Sequence, residues 1–163
     1  MRKAVFFDRD GVINSDEGHY YIFKPEDFKL NPDIIDSMVL LHQAGFLLFV
    51  ISNQAGIAKG LYKKTDSDNL HTILQNNLQK HNVSIAEIYY CPHHPEYGKC
   101  ICRKPNSLML EKAIARFEID VNQSFLIGDS DRDIEAACKV GIRGIKVEKN
   151  YSVKELCKSI AEK

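Results

Sequence analysis

The sequence has no net charge and no long apolar run. None of its hydrophobic stretches approaches the about 20 residues of a membrane-spanning helix, and the basic start MRK precedes too short an apolar segment for a signal peptide. With 22 basic and 22 acidic side chains, the chain lacks the positive field that draws proteins onto nucleic acid or anionic membranes. We therefore expect a cytoplasmic protein with no nucleic-acid or membrane partner. We also expect a monomer.

Low-complexity segments and internal repeats are also absent, and the length of 163 residues fits one domain over 1–163. Hydrophobic residues make up 44% of the chain, enough for a buried core. The five cysteines are expected to be metal ligands or core residues, because a reducing cytoplasm disfavours disulfides.

Strand-like and helix-like segments alternate along the chain. Apolar strands are predicted at 4–8, 46–52, 85–91, 124–129 and 142–147. Between them lie helical patterns at 32–45, 65–82, 107–117 and 132–141, with a further helix at the C-terminal end; Thr65 and Asp68 have the spacing of a capping box. This alternation predicts an α/β fold, a single Rossmann-like domain with a mostly parallel sheet and helices on both faces.

Polar side chains follow three of the predicted strands. Ligands of open parallel sheets bind outside the carboxyl ends of the strands, so these side chains are expected to converge there. The first strand contributes Asp8 and Asp10, the second Ser52 and Asn53, and the strand in FLIGDSDRD contributes Asp129 and Asp133. Asp129 and Asp133 can also cap the N-terminus of the following helix and interact favourably with its dipole.

Asp8 and Asp10 raise the question of why a buried strand should end in two like charges. Alternation along a strand would point both side chains the same way. A Mg²⁺ ion bound by Asp8 and Asp129 would offset the repulsion, since this ion prefers carboxylates, water and substrate phosphate. Arg103 and Lys104 could then hold the phosphate, which predicts Asp8 as a nucleophile and Asp10 as a proton carrier.

Four motifs, DRDG, SNQAG, RKP and GDSDRD, occur in this order on these elements. Together they resemble the motifs of the haloacid dehalogenase superfamily of phosphatases. The resemblance implies Asp8 as nucleophile and Asp10 as acid and base, and Ser52 and Lys104 as stabilisers of the phosphoryl group. It also implies Mg²⁺ held by Asp8, the backbone carbonyl of Asp10, and Asp129, with Asp133 supporting Lys104 or the metal shell.

Three longer stretches, FDRDGVIN, SNQAGIAKG and YYCPHHPEYGKCICRKP, are similar to one branch of that superfamily. This branch holds the phosphatases of D-glycero-D-manno-heptose 1,7-bisphosphate and of histidinol phosphate. The resemblance implies a Mg²⁺-dependent phosphatase that removes the C7 phosphate of the heptose bisphosphate. No long insert follows the first or second motif, so no cap domain is expected and short loops must bind the phosphorylated sugar. The expected substrate-binding residues are Asp16, Tyr20, Asn53, Gln54, Arg103 and Lys104.

The segment 91–102 carries three cysteines and two adjacent histidines. Three thiolates and one imidazole form the closed Cys₃His set of structural zinc sites. The residues alone leave His93 and His94 as rival ligands. The resemblance implies structural Zn²⁺ bound by Cys91, His93, Cys100 and Cys102. Because the segment runs directly into Arg103 and Lys104, the zinc would also position these two cations.

Some positions depart from the pattern of the branch. Asn106 and Ser107 stand where a Pro-Gly pair is usual, and Ser130 where a lysine is common. These departures concern the substrate rather than the chemistry. Histidinol phosphate and other small phosphate esters therefore stay open as substrates. A phosphoacceptor receiver domain, a zinc-knuckle nucleic-acid binder and a polynucleotide 3′-phosphatase remain as alternative functions.

Overall fold

The computed structural model describes all residues from Met1 to Lys163. Its centre is a five-stranded sheet in which every neighbouring pair is parallel. The strands are β1 (Ala4–Phe7), β2 (Leu47–Asn53), β3 (Glu87–Cys91), β4 (Phe125–Gly128) and β5 (Arg143–Lys146). The sheet confirms the predicted α/β class, and each strand begins and ends within two residues of its predicted bounds.

The strand order is β3-β2-β1-β4-β5. The chain therefore builds the sheet outward from β1 on one side and then crosses to the other side to add β4 and β5. The order reverses between β1 and β4, which opens a crevice at their carboxyl ends. The first and last acidic motifs, DRDG and GDSDRD, follow these two strands.

Five helices cover the two faces of the sheet. They are α1 (Ile34–Gln43), α2 (Lys64–Gln79), α3 (Leu108–Phe117), α4 (Asp131–Lys139) and α5 (Lys154–Ala161). Alternate residues of β1 serve opposite faces: Val5 and Phe7 pack with α1, α2 and α5, whereas Ala4 and Phe6 pack with α3 and α4. All four of these β1 side chains are fully buried, so the sheet has a separate core on each side.

The start of α2 differs from its prediction. The helix begins at Lys64, and Asp66 rather than Asp68 accepts a hydrogen bond from the backbone N–H of Lys63, at 2.7 Å. Thr65 and Asp68 therefore lie inside the first turns, and the Asp68 carboxylate is free to accept a hydrogen bond from Tyr90. The capping prediction was wrong because the same three-residue spacing joins Lys63 to Asp66 and Thr65 to Asp68, and the helix uses the first pair.

The connections above the carboxyl edge carry no additional domain. Residues 8–33 include one short 3₁₀ helix, Pro25–Asp27, and residues 54–63 form turns. Two further 3₁₀ helices, Pro95–Tyr97 and Val121–Gln123, lie in later connections. None of the helices combines the length and apolar character needed to cross a membrane.

Candidate active site

A cavity of about 470 Å³ opens at the carboxyl edge of the sheet. Its lining includes four aspartates and four basic side chains, which is why a chain of zero net charge still has a strongly ionic site. The acidic members are Asp8, Asp10, Asp16 and Asp129, and the basic members are Arg103, Lys104, Arg132 and Lys149. Ser52 and Gln54, two of the predicted site residues, do not line this cavity.

Asp8 follows the last residue of β1 and presents one oxygen to the protein. Its Oδ1 accepts hydrogen bonds from the Arg9 backbone N–H and from Lys104 Nζ, both at 2.8 Å, whereas Oδ2 accepts none. Burial raises the pKa of Asp8 to about 7, against the lowering effect of the Lys104 ammonium. The arrangement holds the carboxylate in one orientation and leaves an oxygen for substrate or metal.

Lys104 is 3% exposed and joins the first and last acidic motifs. Its Nζ donates to Asp8 Oδ1 at 2.8 Å, to Asp133 Oδ1 at 2.5 Å and to the Ile51 carbonyl at 2.8 Å. Burial alone would lower the pKa of Lys104, but the charges of Asp8 and Asp133 outweigh it and the pKa is raised. The side chain therefore stays an ammonium in the wall of the cavity.

Asp133 uses both oxygens within the protein. Oδ1 accepts from Lys104, and Oδ2 accepts from the backbone N–H and the hydroxyl of Ser130, the residue that caps α4. This carboxylate is fully buried. Of the two roles that the resemblance leaves open for Asp133, the contacts favour support of Lys104.

Asp129 has the opposite character. Its side chain is only 6% exposed, it accepts no hydrogen bond from the protein, and its nearest cation, Lys149 Nζ, lies 3.7 Å away. Burial raises the pKa of this carboxyl. Burying a carboxylate that accepts no hydrogen bond is energetically unfavourable, so a bound cation would stabilise Asp129.

The carboxylate cluster, Asp8, Asp129 and Asp133, has ligand atoms that all lie within 4.8 Å of one another. Because the oxygens of Asp133 are taken, Asp8 and Asp129 are the two members able to hold a cation. Mg²⁺ fits this donor set, since it uses one or two carboxylates beside water and phosphate. Gly11, at φ 88°, passes so close to Asp129 that a Cβ atom there would collide with its carboxylate.

Asp10 reaches the cavity by another route than the one predicted. β1 ends at Phe7, so strand alternation does not orient Asp10. Instead, its carboxylate accepts two hydrogen bonds from the guanidinium of Arg9, at 3.1 Å each. Asn14 Nδ2 and Gln54 Nε2 add two more, both at 3.0 Å. Asp8 and Asp10 do share the cavity, but hydrogen bonds rather than the pleat bring them together.

The end of β2 acts mainly behind the cavity wall. The hydroxyl of Ser52 is buried and accepts a hydrogen bond from Gln54 Nε2 at 2.7 Å, which keeps its own proton available to an acceptor. Asn53 lines the cavity and exchanges two hydrogen bonds with the backbone of Lys104, at 3.0 and 3.1 Å. Asn53 therefore fixes the segment that carries the buried lysine.

Asp16 and Tyr20 both line the mouth of the cavity. Asp16 accepts hydrogen bonds from Lys149 Nζ at 2.9 Å and from Asn150 Nδ2 at 3.1 Å. Sequence reasoning missed Lys149, which belongs to no motif and reaches the site only because the segment after β5 folds over the same edge. Tyr20 packs edge-on against Tyr21 and is highly exposed.

Arg103 and Arg132 differ from the other two basic side chains of the cavity. Lys104 and Lys149 are within 4.0 Å of carboxylates, whereas neither arginine is. Arg103 donates only to the backbone carbonyl of His93, at 3.2 Å. Arg132, which sequence reasoning also missed, has no charged partner although it lies inside GDSDRD. The cavity thus offers two uncompensated guanidinium groups to an anionic ligand.

The cysteine cluster, Cys91, His93, Cys100 and Cys102, lies beside the cavity with all ligand atoms within 4.8 Å of one another. A tetrahedral zinc ion with Zn–S bonds of about 2.3 Å has S–S edges of about 3.8 Å. The Cys91 and Cys100 sulfurs are 3.7 Å apart, and His93 Nδ1 lies 3.4 and 3.2 Å from the sulfurs of Cys91 and Cys102. The 2.8 Å separation of Cys91 and Cys102 must open toward the tetrahedral edge, and with that adjustment the cluster fits Zn²⁺.

His94, the rival ligand, points elsewhere. Its Nδ1 accepts a hydrogen bond from the Glu96 N–H at 3.2 Å, and its side chain lines the active-site cavity.

The other two cysteines lie apart from the cluster, with Cys138 exposed and Cys157 buried. Burial raises the pKa of Cys91 and of Cys102. For Cys100, burial acts in the same direction, but hydrogen bonds led by the Arg103 backbone N–H lower the pKa.

Known proteins resemble this chain over most of its length. A family model described as HAD-hydrolase-like matches residues 101–162. The D-glycero-beta-D-manno-heptose-1,7-bisphosphate 7-phosphatase of Haemophilus influenzae is 39% identical over 160 residues, which cover 94% of this chain and 83% of that protein. The D-glycero-alpha-D-manno-heptose-1,7-bisphosphate 7-phosphatase of Photorhabdus laumondii is 38% identical, covering 86% and 79%.

Among solved structures, the D,D-heptose 1,7-bisphosphate phosphatase from B. bronchiseptica, complexed with magnesium and phosphate, superposes with a TM-score of 0.84. It is 29% identical and the match covers 96% of this chain and 86% of that one. The protein is thus a phosphoric monoester hydrolase, which rules against the receiver domain and the zinc knuckle. By its motifs, its fold and these relatives, the chain belongs to the haloacid-dehalogenase-like hydrolases, in the family of the D-glycero-D-manno-heptose-1,7-bisphosphate 7-phosphatases.

Proposed function

We propose that the enzyme removes the C7 phosphate from D-glycero-D-manno-heptose 1,7-bisphosphate and leaves the C1 phosphate in place. The observation that carries this proposal is the pair of cations in the cavity, Arg103 and Arg132, that have no carboxylate partner. A single phosphate at Asp8 would use Lys104 and leave both arginines unmatched. A second phosphate on the same sugar would satisfy them, and the names of the relatives supply such a substrate.

In the first step, an Asp8 oxygen attacks the phosphorus of the C7 phosphate. The bond between phosphorus and the sugar oxygen breaks, and Asp10, in its acid form, gives that oxygen its proton. Lys104, held by Asp133, stabilises the transferring phosphoryl group. The products are the sugar with a free C7 hydroxyl and an aspartyl-phosphate on Asp8.

In the second step, Asp10, now a carboxylate, takes a proton from a water molecule as that water attacks the aspartyl-phosphate. The acyl-phosphate bond breaks, inorganic phosphate leaves, and Asp8 and protonated Asp10 are restored. The same carboxyl group therefore acts as acid and then as base, which a fixed orientation between leaving oxygen and water permits.

Asp8, the backbone carbonyl of Asp10, and Asp129 would hold Mg²⁺. The donor chemistry supports this choice, because Asp129 is nearly buried without a hydrogen-bond donor, and a relative of the same fold was crystallised with magnesium. When bound, the cation supplies positive charge that offsets the repulsion between carboxylates and substrate phosphate.

A structural Zn²⁺ at the cysteine cluster would fix the loop between β3 and Arg103. The loop is exposed over most of its length and has few backbone hydrogen bonds of its own. Cys102 directly precedes Arg103, whose guanidinium contacts the carbonyl of His93. Four ligand bonds to the loop would therefore hold the arginine in place for the retained phosphate.

The substrate is tested by phosphate release with Mg²⁺ from both anomers of the heptose bisphosphate, from heptose 7-phosphate and from histidinol phosphate. We expect a bisphosphate anomer to give the highest kcat/KM, with the C1 phosphate intact in the product by phosphorus NMR. Faster turnover of histidinol phosphate than of either anomer would contradict the proposal.

Arg132→Gln sharpens this test. We expect kcat/KM for the bisphosphate to fall about 10-fold to 100-fold, the range for a lost charge-assisted contact, and kcat/KM for heptose 7-phosphate to stay within about twofold. Arg143→Gln, the same change at the exposed amino end of β5, is the matched control. Equal losses of kcat/KM on both substrates would show that Arg132 does not recognise the second phosphate.

A further inference from the structure

Behind the cavity wall, a buried group of side chains connects Asp10 to the segment after β2. Gln54 is 2% exposed and Tyr62 is 5% exposed, and neither lines the cavity. We propose that Gln54 and Tyr62 are positioning residues for proton transfer, which hold the Asp10 carboxyl against the leaving oxygen without touching the substrate. The proposal rests on the role of Asp10 given above and extends it to two residues outside the cavity.

Gln54 uses all of its hydrogen-bonding capacity inside the protein. Its Nε2 donates to Asp10 Oδ2 at 3.0 Å and to Ser52 Oγ at 2.7 Å. Its Oε1 accepts from Arg9 at 3.1 Å and from the Tyr62 hydroxyl at 2.6 Å. Because a guanidinium can only donate, Arg9 requires the amide oxygen on its side and so turns the amide nitrogen toward Asp10.

The same amide nitrogen therefore contacts both the proton carrier and the hydroxyl of Ser52. Arg9 and Asn14 also bind the Asp10 carboxylate, but both belong to the same turn as Asp10 itself. Gln54 is the one donor to Asp10 from a different strand end. It ties the proton carrier after β1 to the end of β2 and the segment that follows, where Asn53 and Ala55 line the cavity.

Tyr62 holds Gln54 in turn. Its ring stacks on Phe23, with centroids 5.0 Å apart and planes 5° from parallel, and it packs so tightly on Gly56 that a Cβ atom there would enter the ring. Burial raises the pKa of Tyr62, so the phenol keeps its proton and donates it to Gln54. The ring is fixed by packing, and the hydroxyl alone carries the contact to the network.

A positioning role predicts a selective loss. The kcat/KM of a phosphatase that forms an aspartyl-phosphate reports the first step, in which an alkyl leaving group needs the proton of Asp10 and a p-nitrophenyl leaving group needs little protonation. A displaced Asp10 therefore slows alkyl esters and spares the aryl ester. A general weakening of the fold would slow both.

The experiment is Tyr62→Phe, assayed with Mg²⁺ on p-nitrophenyl phosphate and on the alkyl phosphate that the wild-type enzyme turns over best. We expect kcat/KM for the alkyl ester to fall about tenfold, as for one well-placed hydrogen bond, and kcat/KM for the aryl ester to stay within about twofold. Tyr90→Phe, which removes a hydroxyl bonded to Asp68 at 2.9 Å at the end of β3 and away from the cavity, should change neither kcat/KM. Gln54→Glu puts a carboxylate oxygen against Asp10. We expect it to lower kcat/KM for the alkyl ester by more than Tyr62→Phe does.

Equal losses on both esters, or no loss from either Tyr62→Phe or Gln54→Glu, would overturn the inference. Asp10→Ala separates this failure from a failure of the proposed mechanism. Asp10→Ala should lower kcat/KM for the alkyl ester selectively and by more than Tyr62→Phe does. If it does not, the role of Asp10 itself is wrong. The identity of the natural sugar does not enter, since any alkyl ester that the enzyme accepts can serve.

Discussion

The carboxylate cluster and the cysteine cluster lie side by side but are built differently. The carboxylates come from two distant motifs that only the sheet brings together, after β1 and at the start of α4, and a lysine from a third segment joins them. The cysteine cluster comes from one loop, between Cys91 and Cys102. The first depends on the whole fold, whereas the second depends on a short stretch of chain closing on itself.

This difference teaches where each cluster obtains its order. Lys104 already neutralises much of the negative charge in the carboxylate cluster, and Asp133 is fully hydrogen-bonded. That cluster should keep its shape without a cation. The cysteine cluster sits in a loop with little regular structure, so we expect its order to depend on Zn²⁺. The following changes test this contrast, from the largest expected effect to the smallest.

Asp8→Asn should abolish turnover, by more than about 10⁴-fold, while the protein stays folded and keeps its zinc. The amide cannot attack phosphorus, but it can still accept from Lys104, which also keeps Asp133 as its ion-pair partner. Steady-state assays, circular dichroism and elemental analysis together check this. Near-normal activity, or label from the phosphate trapped on another residue, would contradict the assignment of Asp8.

Replacing Cys100 and Cys102 by serine should remove the zinc and lower kcat/KM by about 10²-fold, because Arg103 and Lys104 follow the loop directly. The free energy of unfolding should fall as well. Cys138→Ser, the same chemical change at an exposed position on α4, should alter none of these. Full zinc retention by the double variant, measured by elemental analysis, would sink the assignment.

Asp133→Asn should lower kcat about 10-fold to 100-fold and the free energy of unfolding by about 3 kcal/mol, because a buried ammonium then loses one of its two carboxylate partners. Zinc content should be unchanged, since no contact joins Asp133 to the cysteine cluster. Urea unfolding and steady-state assays measure the two losses. A loss of zinc instead would show that the two clusters are not independent.

His71, on α2 and outside both clusters, gives the smallest effect, an acid-induced loss of stability that must be known before acid effects on the clusters are compared. Burial, together with the charge of Arg9, lowers the pKa of His71 from 6.5 to about 4. Between these values the unfolded state binds a proton that the folded state does not, so stability falls as the pH falls through this window. At pH 5 the loss is about 2 kcal/mol relative to pH 7.5.

His71→Gln removes this contribution and leaves the acid sensitivity of the cysteine cluster in place. The difference in unfolding free energy between wild type and His71→Gln, measured in urea at pH 7.5 and pH 5, should therefore change by about 2 kcal/mol in favour of the variant. An unchanged difference would mean that His71 titrates normally in the folded protein.

The sequence by itself determined the class of the fold and the chemical types present at the site. Apolar runs alternating with helical patterns indicated a parallel sheet, and parallel sheets collect ligands at the carboxyl ends of their strands, so Asp8 and Asp129 could be placed together. Spacing alone also predicted a set of three cysteines and one histidine, because these residues are close along the chain and no long-range register is needed; the resemblance, not the spacing, implied His93 rather than His94.

Only the tertiary structure decided which polar groups are spent inside the protein and which are left for a ligand. Gln54 was expected to contact the substrate, but all of its hydrogen bonds are made inside the protein, behind Asp10. The oxygens of Asp133 accept hydrogen bonds from Lys104 and Ser130, whereas Asp129 accepts none. Lys149 enters the cavity from a segment without a recognisable pattern, and Arg132 enters from within GDSDRD, where only the aspartates were expected at the site. The reason is physical: periodicity records the face on which a residue lies, but hydrogen-bond satisfaction depends on side chains that strand register and turn geometry bring within about 3 Å.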